Sequence, residues 1–153
     1  MELDANGRRL ADLRRLVAGA GRAPEDDAPE GASAAELAVL SDRLGRSLPP
    51  VLESWLSVCR GAAIGPGGVF GQRPDRPGLD MVRIRNLFAE WQPLGWLPVA
   101  GDGCGNYYVL VEDGTVGFVE PMSDPGRLER QVSADLLSFL TDLLAAEQVL
   151  PPS

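Results

Sequence analysis

The segment NYYVLVEDGTVGFVE, residues 106–120, constrains this chain more than any other. Two runs rich in β-branched and aromatic residues flank Asp113-Gly114. Such runs around an Asp-Gly pair predict a β-hairpin, with a two-residue turn whose central positions both take positive φ. WLPVAG, residues 96–101, reads as a further strand, joined to the hairpin by GDGCGN. The chain is thereby committed to an antiparallel sheet, and the other elements must cover one face of it.

The remaining periodicity is helical. RRLADLRRLVAGA places Leu10, Leu13, Leu16 and Val17 on one side with arginines opposite, so a helix should end near Gly19 or Gly21. GRAPEDDAPEG then reads as an acidic Pro/Gly linker. In SAAELAVLSDRLG, Ser33 and Glu36 form a capping box, Leu37, Leu40 and Leu44 keep helical spacing, and Gly45 is the stop. SLPPVLESWLSVCRG restarts with Pro50 in the first turn, puts Leu52, Trp55, Leu56 and Cys59 on one face, and is expected to end at Gly61. The short joint makes these two helices a packed pair. Short strands are expected at residues 68–72 and in LDMV. Ile84, Leu87, Phe88 and Trp91 at i, i+3, i+4 and i+7 predict a helix over 83–92, ended by Pro93. SADLLSFLTDLLAAEQ reads as a helix capped by Ser133, with Leu136, Leu137, Leu140, Leu143 and Leu144 turned to the sheet.

The fold class is therefore α+β: N-terminal helices, an antiparallel β-sheet, and a C-terminal helix packed on the sheet. The chain divides into a helix and linker (1–32), a domain (33–148) and a tail (149–153). At 153 residues it should bury roughly 70% of its extended surface, enough for one real core.

Three glycines, Gly101, Gly103 and Gly105, raise the question of a phosphate loop. A dinucleotide fingerprint needs a helix after its glycines, and here a strand follows. A P-loop needs a lysine, and all 14 basic residues are arginine. A calcium loop needs more oxygen ligands than Asp102 and Asn106 supply. The reading left is a tight corner that admits a neighbouring backbone. The chain has no histidine, so a zinc site, a Ser-His-Asp triad and a Cys-His pair are excluded. A carboxylate pair among Glu112, Asp113 and Glu120 remains formally possible, and solvated turn charges are the plainer alternative. Trp55, Trp91 and Trp96 read as core or groove walls. Cys59 and Cys104 read as free, mostly buried thiols, because two cysteines without a CxxC motif make no disulfide framework. No cofactor is expected.

Charge is unevenly placed. Of a net −8, residues 1–98 carry −1 (13 acids, 12 arginines) and residues 99–153 carry −7 (9 acids, 2 arginines). An acidic half argues against nucleic acid or an anionic membrane as partner, and suits a basic protein. No apolar run reaches the ~20 residues of a membrane span, and the N-terminus lacks a signal-peptide core, which makes the cytoplasm the default location.

In order and spacing these motifs resemble the SUKH superfamily, the Smi/Knr-type group of yeast cell-wall-synthesis regulators and their bacterial relatives. The resemblance runs over about residues 33–146. Its opening is carried by Glu36, Leu44-Gly45, Leu48-Pro49 and Trp55, with Arg60-Gly61 where the family has Asn-Gly. Its second signature is carried by Trp96, Pro98, Ala100, Asp102, Gly103, Gly105 and Tyr108. The resemblance implies a non-enzymatic immunity protein that neutralises a cognate protein toxin, with no small-molecule substrate. An acidic inhibitor suits a nuclease toxin, which is basic because it binds phosphates. The expected contact residues are Asp102, Tyr107, Glu112, Asp113, Glu120 and Asp124. The alternative is a regulatory scaffold with several cytoplasmic partners, as the yeast relatives imply.

Overall fold

A computed structural model describes residues 5–20 and 30–148. The acidic stretch at 21–29 and the tail at 149–153 lie outside the described residues. In chain order the elements are α1 (Ala5–Gly19), α2 (Ala34–Leu44), α3 (Pro50–Leu56), a 3₁₀ turn (Pro77–Leu79), α4 (Met81–Arg85), α5 (Trp91–Leu94), β1 (Leu97–Gly101), β2 (Tyr107–Leu110), β3 (Val116–Val119), β4 (Arg130–Ser133) and α6 (Leu136–Ala146). The four strands form one antiparallel sheet in the order β1-β2-β3-β4. The fold is α+β, with helices before the sheet and one after it.

Local chemistry sets the helix ends. Ser33 Oγ accepts the Glu36 N–H at 3.1 Å, and Glu36 Oε1 accepts the Ser33 N–H at 3.1 Å, which closes the capping box of α2. Gly45, at φ 71°, ends it. α3 starts on Pro50 but stops at Leu56, five residues before Gly61. The Ser57 hydroxyl donates to the Ser54 carbonyl, and Val58 and Cys59 both donate to the Trp55 carbonyl, so the chain turns away early. Cys59 is nevertheless fully buried. Glu36 and Arg60 pair at 3.0 Å, tying the start of α2 to the end of the α3 turn.

The core draws on every element. Leu13, Leu40, Leu52, Trp55, Leu56, Met81, Trp91 and Leu136 have no exposed surface. Trp55 and Trp91 are core residues, and Trp96 is buried too. α6 packs against α1, α3 and β4, and Phe139 meets Tyr108 of β2 at 5.0 Å. α1 docks on α6 through Leu13 and Val17, flanked by Arg9, which binds Asp135 and Ser138. Gln148 Nε2 also donates to the Leu16 carbonyl at 2.9 Å.

Four expectations are corrected, and one strand had not been expected. Residues 68–72 make isolated bridges, Val69 with Ala62 and Ala100 and Gly71 with Asp80, rather than a strand. LDMV is not a strand either, because Asp80 accepts the Arg83 N–H and caps α4 there. The expected helix over 83–92 is split: α4 ends at Arg85, Leu87 is 63% exposed, and Pro93 sits in the first turn of α5, where a missing N–H costs nothing. α6 is capped by Asp135, whose carboxylate accepts the Ser138 N–H at 2.9 Å, because Ser133 ends β4. β4 had no clear signature, since RQVS lies at the sheet edge with its first two residues exposed.

The hairpin forms with a different turn. Val111 N–H donates to Thr115 O, and Gly114 N–H to Val111 O, both at 2.9 Å, which leaves a three-residue loop of Glu112, Asp113 and Gly114. Only Gly114 takes positive φ, at 93°. Asp113 avoids that strain and instead accepts the Thr115 N–H and hydroxyl at 3.0 and 2.7 Å.

Candidate partner-binding surface

The glycine stretch forms the corner between β1 and β2. A Cβ on Gly67 would lie 2.4 Å from the Gly101 carbonyl carbon and 2.5 Å from Gly103 N. A Cβ on Gly103, itself at φ 80°, would lie 2.5 Å from Pro66 O. The 66–68 segment therefore crosses the corner backbone to backbone, which only glycine permits. Asp102 organises the turn from inside: its carboxylate accepts Cys104 N–H (2.7 Å), Asn106 N–H (3.0 Å) and Asn106 Nδ2 (2.9 Å). Partial burial pushes its pKa up, but these hydrogen bonds outweigh that and hold it below the usual carboxylate value. Cys104, expected to be buried, is exposed at the tip, because a corner this tight has no inside for its side chain.

Pairing decides which candidate residues meet. Gly101 pairs with Tyr107, and Tyr107 with Val119, so the β1–β2 corner and the start of the β3–β4 connection share one end of the sheet. Asp102, Tyr107, Glu120 and Asp124 belong to that end. Glu112 and Asp113 sit at the opposite end, beyond the Leu110–Val116 pair. Four residues of β3 at ~3.4 Å each separate them from Glu120 by more than about 10 Å. The hairpin therefore does not gather Glu112, Asp113 and Glu120 into a carboxylate pair. The Asp113 carboxyl is held low by the Thr115 hydroxyl and N–H, and is used within its own turn.

Behind the corner lies an aromatic cluster. Tyr107 meets Phe88 and Trp91 at 5.6 Å each and Phe70 at 6.1 Å, while Phe88 and Trp91 stack at 4.5 Å. Burial, then the nearby Asp102 charge, raises the Tyr107 phenol pKa. A shallow cavity of about 330 Å³ opens beside it, lined by Phe70, Arg83, Leu87, Asn106 and Tyr107 among others. Trp91 Nε1 donates to Pro125 O at 2.6 Å, fastening the β3–β4 connection to the cluster. Sequence reasoning did not find this link, because Trp91 and Pro125 are 34 residues apart and joined through a backbone carbonyl. Among the described residues no group of three His, Cys, Asp or Glu side chains could hold a metal ion, and no helix is long and apolar enough to cross a membrane.

A second buried polar cluster holds the α4 side of this surface. Asp80, 1% exposed, accepts Arg43 through both oxygens (2.9 and 2.5 Å), Arg73 N–H (3.2 Å) and Arg83 N–H (3.3 Å). The Asp80 hydrogen bond raises the Arg43 pKa further. Arg85 Nη1 reaches the Leu44 carbonyl at 2.8 Å, and burial, then the Arg46 charge, lowers its pKa.

A family model described as the SMI1 / KNR4 family (SUKH-1) matches residues 31–142, 112 of the 153 residues, from just before α2 into α6. No curated protein matches the chain.

Proposed function

The chain belongs to the SMI1 / KNR4 family (SUKH-1), and from that membership we propose that it is a non-enzymatic immunity protein that binds and neutralises a basic, nuclease-type toxin domain in the cytoplasm. The observation that carries the reading is the end of the sheet where Asp102, Glu120 and Asp124 stand around the rigid corner and Tyr107. Residues 99–153 hold −7 of the net −8. A field of that sign draws in a phosphate-binding protein and raises its association rate. The turn carboxylates serve as fixed surface charge, because their hydrogen bonds hold the Asp102 and Asp113 side chains in place.

The test is co-expression. Each toxin domain encoded beside this gene is induced with and without the protein, and the survivors are examined by pull-down. Survival with a stoichiometric complex supports the reading. Death despite soluble expression, with no complex, rejects those toxins and favours a scaffold with several partners. Two double reversals, Glu120→Lys/Asp124→Lys and Glu112→Lys/Asp113→Lys, then decide which end of the sheet faces the toxin. The facing pair slows low-salt association roughly tenfold, and the effect fades as salt is raised.

A further inference from the structure

Met122 and Leu87 are the most exposed large apolar side chains among the described residues, at 98% and 63%. Single exposed apolar residues are ordinary on a protein surface. These two differ in being held out by rigid backbone on either side of one aromatic cluster.

Met122 stands on the β3–β4 connection. Ser123 and Asp124 N–H both donate to Glu120 O (2.9 and 3.0 Å), and Asp124 Oδ1 accepts the Gly126 N–H at 2.9 Å. Pro121 and Pro125 restrict φ on both sides, and Trp91 holds the Pro125 carbonyl. Leu87 follows α4, with its N–H on the Ile84 carbonyl at 3.1 Å. Its neighbour Phe88 is locked against Trp91 and Tyr107. The Phe88–Trp91–Pro125 chain of contacts therefore fixes the Leu87 and Met122 backbones relative to one another.

The polar groups around them are mostly acidic. Glu120 and Asp124 flank Met122. Glu90 approaches the same loop, its Cγ 3.7 Å from where a Gly126 Cβ would lie. Asp102 closes the corner side. Of the cations on this end, Arg127 is paired with Glu129 at 2.8 Å, Arg130 lies over the Phe118 ring at 4.4 Å, and Arg83 lines the cavity beside Leu87.

We propose that Leu87 and Met122 are the two apolar anchors of the partner-binding surface, and that they seat in apolar recesses of a partner ringed by Lys or Arg. Interface energy concentrates in a few desolvated side chains, while rim charges govern encounter. A rigid presentation lowers the ordering cost of binding. A second copy of this chain is a poor occupant, because it presents the same carboxylates. The proposal rests on the immunity reading and adds to it the residues that hold the complex.

The experiment uses the full chain and the toxin domain recovered by co-expression, with kinetics followed by surface plasmon resonance. The variants are Leu87→Ser, Met122→Ser, their double, and Val39→Ser as a control at a 49%-exposed apolar residue elsewhere. All three positions are exposed, so thermal midpoints should stay within a few degrees of the parent; a variant outside that range is replaced by the alanine form. Each single substitution is expected to weaken binding at least tenfold, and the double at least a hundredfold, mainly through faster dissociation, with Val39→Ser unchanged. A double variant that binds within threefold of the parent overturns the anchors while leaving the immunity reading intact. A parent chain that binds none of the toxin domains overturns both.

Discussion

Arg43→Met tests the buried charge pair that positions α4, and with it the Arg43 hydrogen bond to Gln72 Oε1 at 2.7 Å. Asp80's side chain is 2% exposed and Arg43's is 29%, so the two partners do not suffer equally when the other is lost. Removing Arg43 leaves a carboxylate in the interior with only the Arg73 and Arg83 N–H groups for company. Removing a buried ion's partner costs about 3–5 kcal/mol, because the desolvation is no longer offset. Asp80→Asn is the milder change. The amide keeps an acceptor oxygen for the backbone donors, and Arg43 can turn its guanidinium to water, so roughly 1–2 kcal/mol is expected. For a chain of this size each kcal/mol shifts the thermal midpoint by about 2–4 °C. Arg43→Met should therefore fall by roughly 6–20 °C, and Asp80→Asn by roughly 2–8 °C. Thermal melts followed by circular dichroism measure both falls, and urea denaturation gives the free energies. The double variant Arg43→Met/Asp80→Asn should recover part of the loss, since a neutral amide leaves no charge behind and still accepts from the Arg73 and Arg83 N–H groups. If Asp80→Asn costs as much as Arg43→Met, or if the double variant is additive, the desolvated carboxylate is not what makes the pair matter.

Three further outcomes are expected. Stability should be level from about pH 5 to 8, because the chain has no histidine and no side chain with an ordinary pKa in that window. Glu36 is held low chiefly by the Ser33 N–H. In Asp135 the Ser138 N–H and Arg9 outweigh the opposing effect of burial. Depressed folded-state values stabilise above the unfolded carboxylate pKa near ~4, and that stability is lost as pH falls through them; an unfolding midpoint near pH 6 refutes this. Gly67→Ala should destabilise by more than about 2 kcal/mol, since its Cβ meets backbone at 2.4 Å, whereas Gly105→Ala, with open space but φ 87°, should cost about 1–2 kcal/mol; equal losses in thermal melts contradict the packed corner. Leu13→Ala should cost about 2–5 kcal/mol and Arg9→Ala under about 1 kcal/mol, because α1 docks through a fully buried leucine and only a partly exposed ion pair. The reverse ranking in denaturant titrations shows that charge holds α1.

Wherever one local signal decides the outcome, the sequence alone determined the structure. The capping box of Ser33 and Glu36 sets the start of α2 without reference to anything distant. The alternation around residues 106–120 produced β2 and β3, and the leucine stripe of residues 136–144 produced α6. The family pattern was legible too, because it consists of such local signals in a fixed order.

What the tertiary structure decided was everything settled by competition between distant groups. Asp80 could have ended a strand, but burial beside Arg43 made it a helix cap. Leu87 fitted a helical stripe, yet Phe88 and Trp91 satisfied the core without it and left it in solvent. The six residues first grouped as one surface divide between the two ends of the sheet, since strand register, not sequence distance, decides which loops are neighbours. The loop that carries Met122 is fastened to the core because a tryptophan 34 residues from Pro125 binds that carbonyl. Contacts of that kind depend on which surfaces the packed core brings together, and no periodicity records them.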